Sequence, residues 1–545
     1  MRSLLIHLVA ALLVTTGAVA QQSDKKPKQK PKTEQPASKA SESAATETPK
    51  PPDDKKPEAE KSDQGDKDIH FDVSEVPPVV THHQMTLDGK LLRYTATTGR
   101  LPIKRGDGKI EAEMFFVAYT LDAQDASKRP LTFAFNGGPG SATVWLHMGA
   151  LGPKHVVLQS DGFMPAAPYR SADNPETALE KTDLVMVDAI GTGFSRAANM
   201  ELAKKFWSVK GDIEAFGEFI RLYITRYERW RSPLFLLGES YGTTRAAGLS
   251  GYLADHGISF NGIVLLSTVL NFQTLEFTKT NDQPYILILP SYTMIAGYHK
   301  KLAPELLQDL NKTRQEAEHW ASTDYAQALA KGDALTATER QTAIDQLARY
   351  TGLSKNVIDE ANLRVDVRLF THYLLIDQKL RVGRLDGRFK GPDPEGLVDT
   401  PFYDPTASAI LPPYTSVFND YVSTELGYKT DMPYEVFAFQ SGSGFSKWEW
   451  GSAIEGFPDT AAAMRKAIAK NPYLKVLVME GYYDLATPYY AAEYTFDHLD
   501  LPPDYHKNIS FETYEAGHMV YVHSGSLTKF KRDLVTFMDR ALPGQ

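Results

Sequence analysis

The chain has 545 residues, of which 42% are hydrophobic, 11% aromatic and 23% charged, and its formal net charge is −9. This composition excludes wholesale disorder, and the acidic balance argues against a general nucleic-acid binder. Cysteine is absent, which excludes disulfides, thiolate metal sites and cysteine nucleophiles. At about 100–200 residues per domain, the length fits one large domain with a sub-domain, or two to three domains.

Residues 1–20 predict a secretory signal peptide. Arg2 gives a positive start, Leu4–Val14 is apolar except for one histidine, and Ala18-Val19-Ala20 fits the cleavage rule. The alternative is an uncleaved anchor, although the apolar run is short for a membrane span. We found no other apolar stretch of about 18 residues, so the mature protein is expected to be soluble and exported to the periplasm or cell exterior.

Residues 21–68 predict a disordered linker. The segment contains 11 lysines, 11 acidic residues and several prolines, but no aromatic residue, Leu, Ile or Val. Such a composition cannot bury enough apolar surface to offset the entropy of ordering. The linker is interpreted as a solvated spacer, with contact to a cell wall as the alternative.

Short apolar runs in the rest of the chain predict strands buried on both faces, with helical spacing between them, as at Ile213–Trp230 and Thr243–His256. This alternation predicts an α/β fold with a mostly parallel sheet. The predicted strands are Met114–Leu121, Leu131–Phe135, Leu184–Asp188, Leu234–Leu237, Ile263–Leu266, Lys475–Met479 and Ile509–Tyr514.

Residues 285–435 interrupt this alternation and predict a helical cap insertion over the open end of the sheet, which leaves 69–284 and 436–545 as the core. Thr336 and Glu339 have the spacing of a helix-capping box. The insertion contains three segments of helical character and then a segment rich in Pro, Gly and Asp. They are Leu302–Ala330, Thr336–Tyr350, Asp359–Leu385 and Gly391–Tyr414.

Gly238-Glu239-Ser240-Tyr241-Gly242 is the only G-x-S-x-G motif in the chain. A predicted strand precedes it and a helix start rich in small residues follows it, as a serine nucleophile on a tight turn requires. The alternative is an ordinary strand–helix turn. Ser195, in a glycine-containing loop, is a second candidate that we interpret as structural.

A serine nucleophile needs a base, and the base needs a group that orients it. Asp484 and His518 each follow a predicted strand, and the order Ser, Asp, His is the one that α/β-hydrolases use. Glu480 and Asp497 are alternatives to Asp484, and His523 is an alternative to His518.

The strand Leu131–Phe135 leads into Asn136-Gly137-Gly138-Pro139-Gly140-Ser141. Clustered glycines present bare backbone N–H groups, which suit a tetrahedral oxyanion. A phosphate loop is disfavoured because the characteristic lysine is missing. His82 and His83 lack metal-ligand partners at motif spacing and are interpreted as surface residues, so no metal or organic cofactor is expected.

The chain resembles the serine carboxypeptidases of the carboxypeptidase Y type. The resemblance rests on five motifs in the expected order across roughly residues 130–525. They are Asn136-Gly-Gly-Pro-Gly140, Leu151-Gly-Pro153, Gly191-Thr-Gly-Phe-Ser195, Gly238-Glu-Ser-Tyr-Gly242 and Gly517-His-Met-Val520.

The resemblance implies an α/β-hydrolase fold with a helical insertion. It implies Ser240, Asp484 and His518 as the catalytic triad, and the backbone N–H groups of Gly138 and Tyr241 as the oxyanion hole. It also implies that Asn136, Gly137 and Glu239 bind the substrate, with Asn136 and Glu239 on its C-terminal carboxylate. A glutamate beside a carboxylate requires one of the two to be protonated, so release of C-terminal residues is expected to be best at acidic pH.

The chain departs from the family pattern at three positions near this site. Ala134 replaces a tryptophan, Ala150 replaces a second carboxylate-binding glutamate, and Tyr521 replaces a proline. The missing cysteines are a further departure. These changes leave three hypotheses open: a secreted serine carboxypeptidase acting on peptides, an esterase, amidase or acyltransferase on the same triad, and a non-catalytic wall-binding protein.

Overall fold

The computed structural model describes residues 70–394, 403–438, 448–451 and 456–542. The predicted signal peptide and linker lie outside these ranges. The described strands are β1 Val79–Leu87, β2 Lys90–Lys104, β3 Ile110–Leu121, β4 Leu131–Phe135, β5 Lys154–Val156, β6 Ser171–Asp173, β7 Asp183–Val187, β8 Arg196–Ala197, β9 Leu234–Glu239, β10 Gly262–Leu266, β11 Arg381–Val382, β12 Lys390–Gly391, β13 Lys475–Gly481 and β14 Ile509–Tyr514.

The described α-helices lie between these strands along the chain or follow the last of them, and short 3₁₀ or π turns join several of them. They are α1 Val144–Leu146, α2 Met200–Phe206, α3 Val209–Arg226, α4 Tyr241–Asp255, α5 Gln283–Tyr298, α6 Pro304–Leu307, α7 Leu310–Trp320, α8 Ala326–Lys331, α9 Ala337–Thr351, α10 Lys355–Glu360, α11 Val367–Tyr373, α12 Pro405–Thr424, α13 Ala461–Lys470, α14 Tyr489–Asp497, α15 Pro503–His506 and α16 Ser524–Ala541.

The main sheet confirms the predicted α/β class. Its strand order is β1-β2-β3-β7-β4-β9-β10-β13-β14, with β8 paired to β3. The run from β7 to β14 is parallel throughout, and the first four strands pair antiparallel. Neighbouring parallel strands end in register, for example Phe135 opposite Gly238 and Glu239 opposite Leu266. The loops that follow these strands are therefore brought to one edge of the sheet.

The central strands of the sheet are covered on both faces, which explains their continuous apolar runs. Leu236 and Leu237 are both buried, but they belong to two different hydrophobic clusters, one on each face. Helices α2, α3, α4 and α13 supply side chains to the first cluster, and α1, α12 and α16 supply them to the second. Side chains on a strand alternate between faces, so both faces must be apolar when both are covered.

A helical block follows β10 and contains its own hydrophobic cluster. Helices α5 to α11 supply most of this cluster, and Tyr483 and Leu485 from the core pack against it. The capping box forms as predicted, with Thr336 and Glu339 each bonded to the other's backbone N–H. Helix α12 differs from the rest of the predicted insertion, because Ile410, Tyr414 and Val417 pack into the main core instead.

Asp183, at the start of β7, lies in a buried ion cluster that is expected to stabilise the sheet. Its two carboxylate oxygens accept from Arg129 Nε and Arg229 Nη1, each at 2.7 Å. Removal of the Asp183 carboxylate leaves two buried guanidinium groups without their counter-ion. Asp183→Ala is therefore expected to lower the free energy of unfolding by about 3–5 kcal/mol in urea denaturation. The control is Lys104→Ala, which breaks an exposed ion pair with Glu75 and should cost less than about 1 kcal/mol. Equal losses in the two variants would contradict this expectation.

Candidate active site

Ser240 stands at the turn between β9 and α4, with its backbone at φ 61° and ψ −131°. A non-glycine residue is strained in this left-handed region, so its surroundings must hold it there. The flanking glycines permit the turn. A Cβ atom on Gly238 would lie 2.1 Å from the carbonyl oxygen of Gly242, and one on Gly242 would lie 2.7 Å from that of Phe135. The turn leaves Ser240 half-buried, at the wall of a cavity of about 560 Å³.

His518 and Asp484 follow the neighbouring parallel strands β14 and β13. His518 Nδ1 lies 2.7 Å from Asp484 Oδ2, and both side chains are buried. Since a carboxylate only accepts hydrogen bonds, Nδ1 carries a proton and donates it, which leaves Nε2 as the basic nitrogen. His518 lines the same cavity as Ser240. The cavity wall thus holds a hydroxyl and an imidazole that a buried acid orients.

Thr487 completes the surroundings of Asp484, and sequence analysis did not single it out. Its hydroxyl donates to Asp484 Oδ2 at 2.7 Å and lies 3.1 Å from His518 Nδ1. The backbone N–H groups of Ala486 and Thr487 donate to Asp484 Oδ1 at 2.7 and 3.0 Å. These bonds fix both oxygens of the carboxylate, so its orientation toward the imidazole is set by the loop itself. The only sequence signal is that Thr487 follows Asp484 by three residues.

The basicity of His518 reflects two opposing effects. Burial lowers the pKa of His518, but the Asp484 carboxylate more than offsets this, and the net pKa is raised above its ordinary value. A raised pKa suits a group that must accept a proton from a serine hydroxyl. It also means that His518 becomes protonated, and loses its capacity as a base, as the pH falls through this raised pKa.

The glycine loop after β4 borders the cavity beside Ser240. A Cβ atom on Gly137 would lie 2.4 Å from the backbone nitrogen of Tyr241, so the loop touches the start of α4. Gly138 has a φ of 105°, a backbone conformation that residues with a side chain rarely adopt. Gly138 and Tyr241 both line the cavity. A bare glycine backbone next to a helix N-terminus favours negative charge at this point.

Arg245 anchors the glycine loop from beneath, and sequence analysis missed it. The side chain is fully buried, and its Nη1 donates to the backbone carbonyl oxygen of Asn136 at 2.7 Å. Its Nε donates to Asp212 at the same distance, which balances the buried charge. Helices α3 and α4 and the glycine loop meet only in the fold, so no spacing in the sequence could reveal this contact.

Asn136 and Glu239, the predicted carboxylate-binding residues, line the cavity next to Ser240. The Oδ1 atom of Asn136 accepts from the backbone N–H of Leu146 at 2.9 Å, and its side chain also bonds to Glu239. Glu239 is buried and accepts from the hydroxyl of Tyr521 at 2.8 Å. Burial raises the pKa of Glu239 to about 7, although His518, Tyr521 and Asn136 oppose the shift.

Residues 384–388, which lie in the predicted insertion, connect the Asp484 loop to the His518 loop. The carbonyl oxygen of Arg384 accepts from Leu485 N at 3.1 Å, and that of Leu385 accepts from His518 N at 2.6 Å. The carboxylate of Asp386 accepts from Gly517 N at 3.0 Å. Both loops are therefore bonded to this segment as well as to the sheet. We name residues 384–388 the bridging segment.

Asp386 is itself held in place by Arg388, which donates to both of its carboxylate oxygens. Both side chains are buried. Gly517 packs so closely on Asp386 that a Cβ atom there would lie 2.4 Å from Asp386 Cβ. The glycine before His518 is therefore required by this contact, which gives a physical reason for the Gly-His pair in the sequence.

The alternative candidates for the nucleophile, the acid and the base make different contacts from those of Ser240, Asp484 and His518. Ser195 is fully buried, donates to the carbonyl oxygen of Asp188 and accepts from Phe115 N, each at 2.8 Å. Glu480 is buried and accepts from Thr268 N at 3.0 Å. Asp497 is exposed, and His523 bonds to Ser526 at 2.8 Å at the start of α16.

His82 and His83 lie on the edge strand β1. His82 Nδ1 is 3.1 Å from Thr95 Oγ1, and His83 Nε2 is 2.7 Å from Thr81 Oγ1. Across the described ranges, no group of three histidine or acidic side chains is placed to hold a metal ion. In the same ranges, no helix combines the length and apolar character needed to cross a membrane.

A family model described as serine carboxypeptidase matches residues 93–391, more than half of the chain. No curated protein matches significantly. Similar solved structures include a proline iminopeptidase from Mycobacterium smegmatis, with 13% identity, a TM-score of 0.33 and coverage of 82% of this chain and 99% of that chain. A thermostable carboxyl esterase from Bacillus coagulans has 11% identity and a TM-score of 0.35, with coverage of 82% of this chain and 99% of that chain.

Proposed function

Because the chain belongs to the serine carboxypeptidase family and is a serine hydrolase with an α/β-hydrolase fold, we propose that it releases C-terminal residues from peptides. The observation that carries the proposal is the constellation in the cavity wall. Ser240 stands on a strained turn, and His518 is bonded to Asp484 at 2.7 Å in the same site. Activation of a serine hydroxyl requires this combination of base and orienting acid.

In the proposed reaction, Ser240 Oγ attacks the last peptide carbonyl while His518 Nε2 accepts its proton. Asp484 holds the imidazole in the required tautomer and stabilises its charged form. The backbone N–H groups of Gly138 and Tyr241 stabilise the oxyanion. His518 then returns the proton to the leaving amine, and the C-terminal residue departs. Water, activated by His518, hydrolyses the acyl-enzyme and restores Ser240.

The free carboxylate of the substrate is proposed to bind to Asn136 and Glu239, with Gly137 beside them. All three line the cavity next to Ser240. Ala134 and Ala150 are fully buried in the core and carry no polar side-chain group, so they offer no further side-chain contact to a carboxylate. This narrow set of contacts is also the observation that favours the second candidate, an esterase or amidase that does not need a free C-terminus.

Export to the periplasm or cell exterior is proposed from the sequence of residues 1–20 alone. Contact with a cell wall through residues 21–68 remains the alternative role for the linker. Both segments lie outside the described residues.

The test compares one N-blocked dipeptide as the free acid and as the methyl ester, with kcat/KM measured from about pH 5 to 9, a range centred on the raised pKa of Glu239, about 7. Below about pH 7 Glu239 is neutral and can donate to a carboxylate, and above it the ionised Glu239 repels one. Hydrolysis of both substrates requires neutral His518 and falls at low pH. We therefore expect a bell-shaped profile for the acid, with its optimum at lower pH than that of the ester, which lacks the alkaline limb.

Glu239→Gln is the matched variant, because it keeps the shape of the side chain and cannot ionise. It should remove the alkaline limb for the free acid. Because the charge of Glu239 raises the pKa of His518, the variant should also move the low-pH limb of both substrates to lower pH. Cleavage of the ester without measurable cleavage of the free acid at any pH would overturn the carboxypeptidase proposal in favour of the esterase. Identical profiles for the two substrates would show that Glu239 does not face the carboxylate.

A further inference from the structure

Tyr521 contacts the carboxyl group of Glu239 from the side away from the cavity. Its hydroxyl donates to Glu239 Oε2 at 2.8 Å, and its side chain is buried. Glu239 and Asn136 line the cavity, whereas Tyr521 lies behind them. Tyr521 therefore acts on a bound molecule through Glu239.

The ring of Tyr521 is fixed by close packing around Gly149. A Cβ atom on Gly149 would lie 2.5 Å from Cε2 of Tyr521 and 2.5 Å from the hydroxyl of Tyr414. Glycine at 149 thus makes room for both rings, and Ala150 beside it is fully buried. Two of the departures noted in the sequence, at 150 and 521, are therefore neighbours in the fold. Close packing in the core therefore holds the tyrosine hydroxyl in position.

The bond from Tyr521 determines what Glu239 can offer to the cavity. A neutral carboxylic acid accepts best at its carbonyl oxygen, so a donor on Oε2 leaves the acidic proton on Oε1. The amide of Asn136, held through its Oδ1 by Leu146, is the other donor to Glu239. With Oε2 occupied, the Glu239 proton has a defined position from which to meet a carboxylate.

We propose that Tyr521 is a positioning residue that sets the orientation and protonation of Glu239, and thereby determines the preference for a substrate with a free carboxylate. This inference rests on the proposed carboxypeptidase function and deepens it. It assigns to a tyrosine the role of buried partner to the carboxylate-binding glutamate.

The groups that face Glu239 fix the direction of the expected change. His518 and Asp484 come from the catalytic loops, Tyr521 follows β14, Tyr414 belongs to α12 and Asn136 to the glycine loop. The hydrogen bond from Tyr521 favours the ionised carboxylate and lowers the pKa of Glu239, which burial raises. Removing the hydroxyl must raise the pKa of Glu239 further.

The test is Tyr521→Phe, assayed with the same free-acid and ester pair. At about pH 5.5 we expect KM for the free acid to rise about fivefold while kcat and all ester parameters stay within about twofold, the size of effect typical of one hydrogen bond. The alkaline limb of the free-acid profile should move about 0.7 pH unit higher. Tyr421→Phe is the control, since it removes another buried hydroxyl, bonded to Tyr119 at 3.0 Å, from the same core.

Equal losses on the free acid and the ester, with an unmoved alkaline limb, would overturn the inference and assign Tyr521 a packing role. The same result follows if Tyr421→Phe reproduces the changes. If the unmodified protein cleaves only the ester, the proposed function fails instead, and that result is seen before any variant is made. Thermal unfolding of both variants verifies that each one is folded.

Discussion

Ser240→Ala removes hydrolysis of both peptide and ester substrates, with kcat expected to fall by about 10⁶-fold, the usual cost of losing a serine nucleophile. Without Oγ there is no acyl-enzyme, and His518 has no hydroxyl to deprotonate. Residual turnover must come from direct attack of water with help from the oxyanion site and binding. The measurement is steady-state hydrolysis of the dipeptide ester, combined with detection of a covalent adduct at Ser240 by a fluorophosphonate probe.

Ser195→Ala is the matched control for this loss. Ser195 also sits in a glycine-containing loop, but its hydroxyl bonds to Asp188 and Phe115 inside the core. Its replacement should cost stability, about 1–3 kcal/mol for buried partners left unsatisfied, and leave kcat within a few-fold. A Ser240→Ala protein that still hydrolysed the ester and reacted with the probe would refute the assignment of the nucleophile.

Asp484→Asn is expected to lower kcat by about 10⁴-fold while leaving the fold intact. The asparagine amide fits the same space, but its NH₂ group can donate toward His518 Nδ1. The imidazole then carries its proton on Nε2 and cannot act as a base toward Ser240. In Asp484 both oxygens act only as acceptors, since Oδ1 accepts from the backbone N–H groups of Ala486 and Thr487, and Oδ2 accepts from the Thr487 hydroxyl.

Glu480→Gln tests the alternative assignment, in which Glu480 at the end of β13 is the acid in place of Asp484. Glu480 is as deeply buried as Asp484 but accepts from Thr268 N, a role that a glutamine oxygen can fill. We expect its kcat to stay within about tenfold of the unmodified protein, since it makes no bond to the imidazole. A larger loss for Glu480→Gln than for Asp484→Asn would reassign the acid. Combining Ser240→Ala with Asp484→Asn should add almost nothing, because the two residues act as a unit.

The central parallel strands were predictable because they are covered on both faces, whereas the edge strand β14 is only partly buried. Leu131–Phe135 and Ile509–Tyr514 coincide with β4 and β14 at both ends. The hairpin of β1 and β2 was missed, because its outer strand carries polar residues on a solvent-facing side. Asp88 and Gly89, both at positive φ between the two strands, form the one local signal that could have found it.

Helix α12 shows the limit of local composition as a guide. Gly391–Tyr414 is rich in proline and glycine, yet a helix begins at Pro405 and continues through Pro412 and Pro413. The side chain of Asp404 caps its first turn, and Ile410 and Tyr414 are buried against the core. Packing of this apolar face outweighs the lost backbone hydrogen bonds, a balance that no short window of sequence expresses.

The residues of the candidate site also fall into two groups, those that the sequence could predict and those that it could not. Ser240, Asp484 and His518 could be proposed because each directly follows a strand, and strand ends are visible in the sequence. Thr487, Arg245, Asp386 and Tyr521 could not be proposed with roles, because each acts through a contact made in three dimensions. Their partners lie between 2 and 282 residues away along the chain.

The bridging segment has a consequence for how this architecture can change. Its backbone and Asp386 bond to both loops that carry the candidate acid and base, so this part of the predicted insertion helps to hold the candidate site in place. We expect changes of length elsewhere in the helical block to be tolerated only where they leave the bonds made by residues 384–388 in place. A cap transplanted from another hydrolase would have to reproduce those few backbone bonds before it could confer a new substrate range.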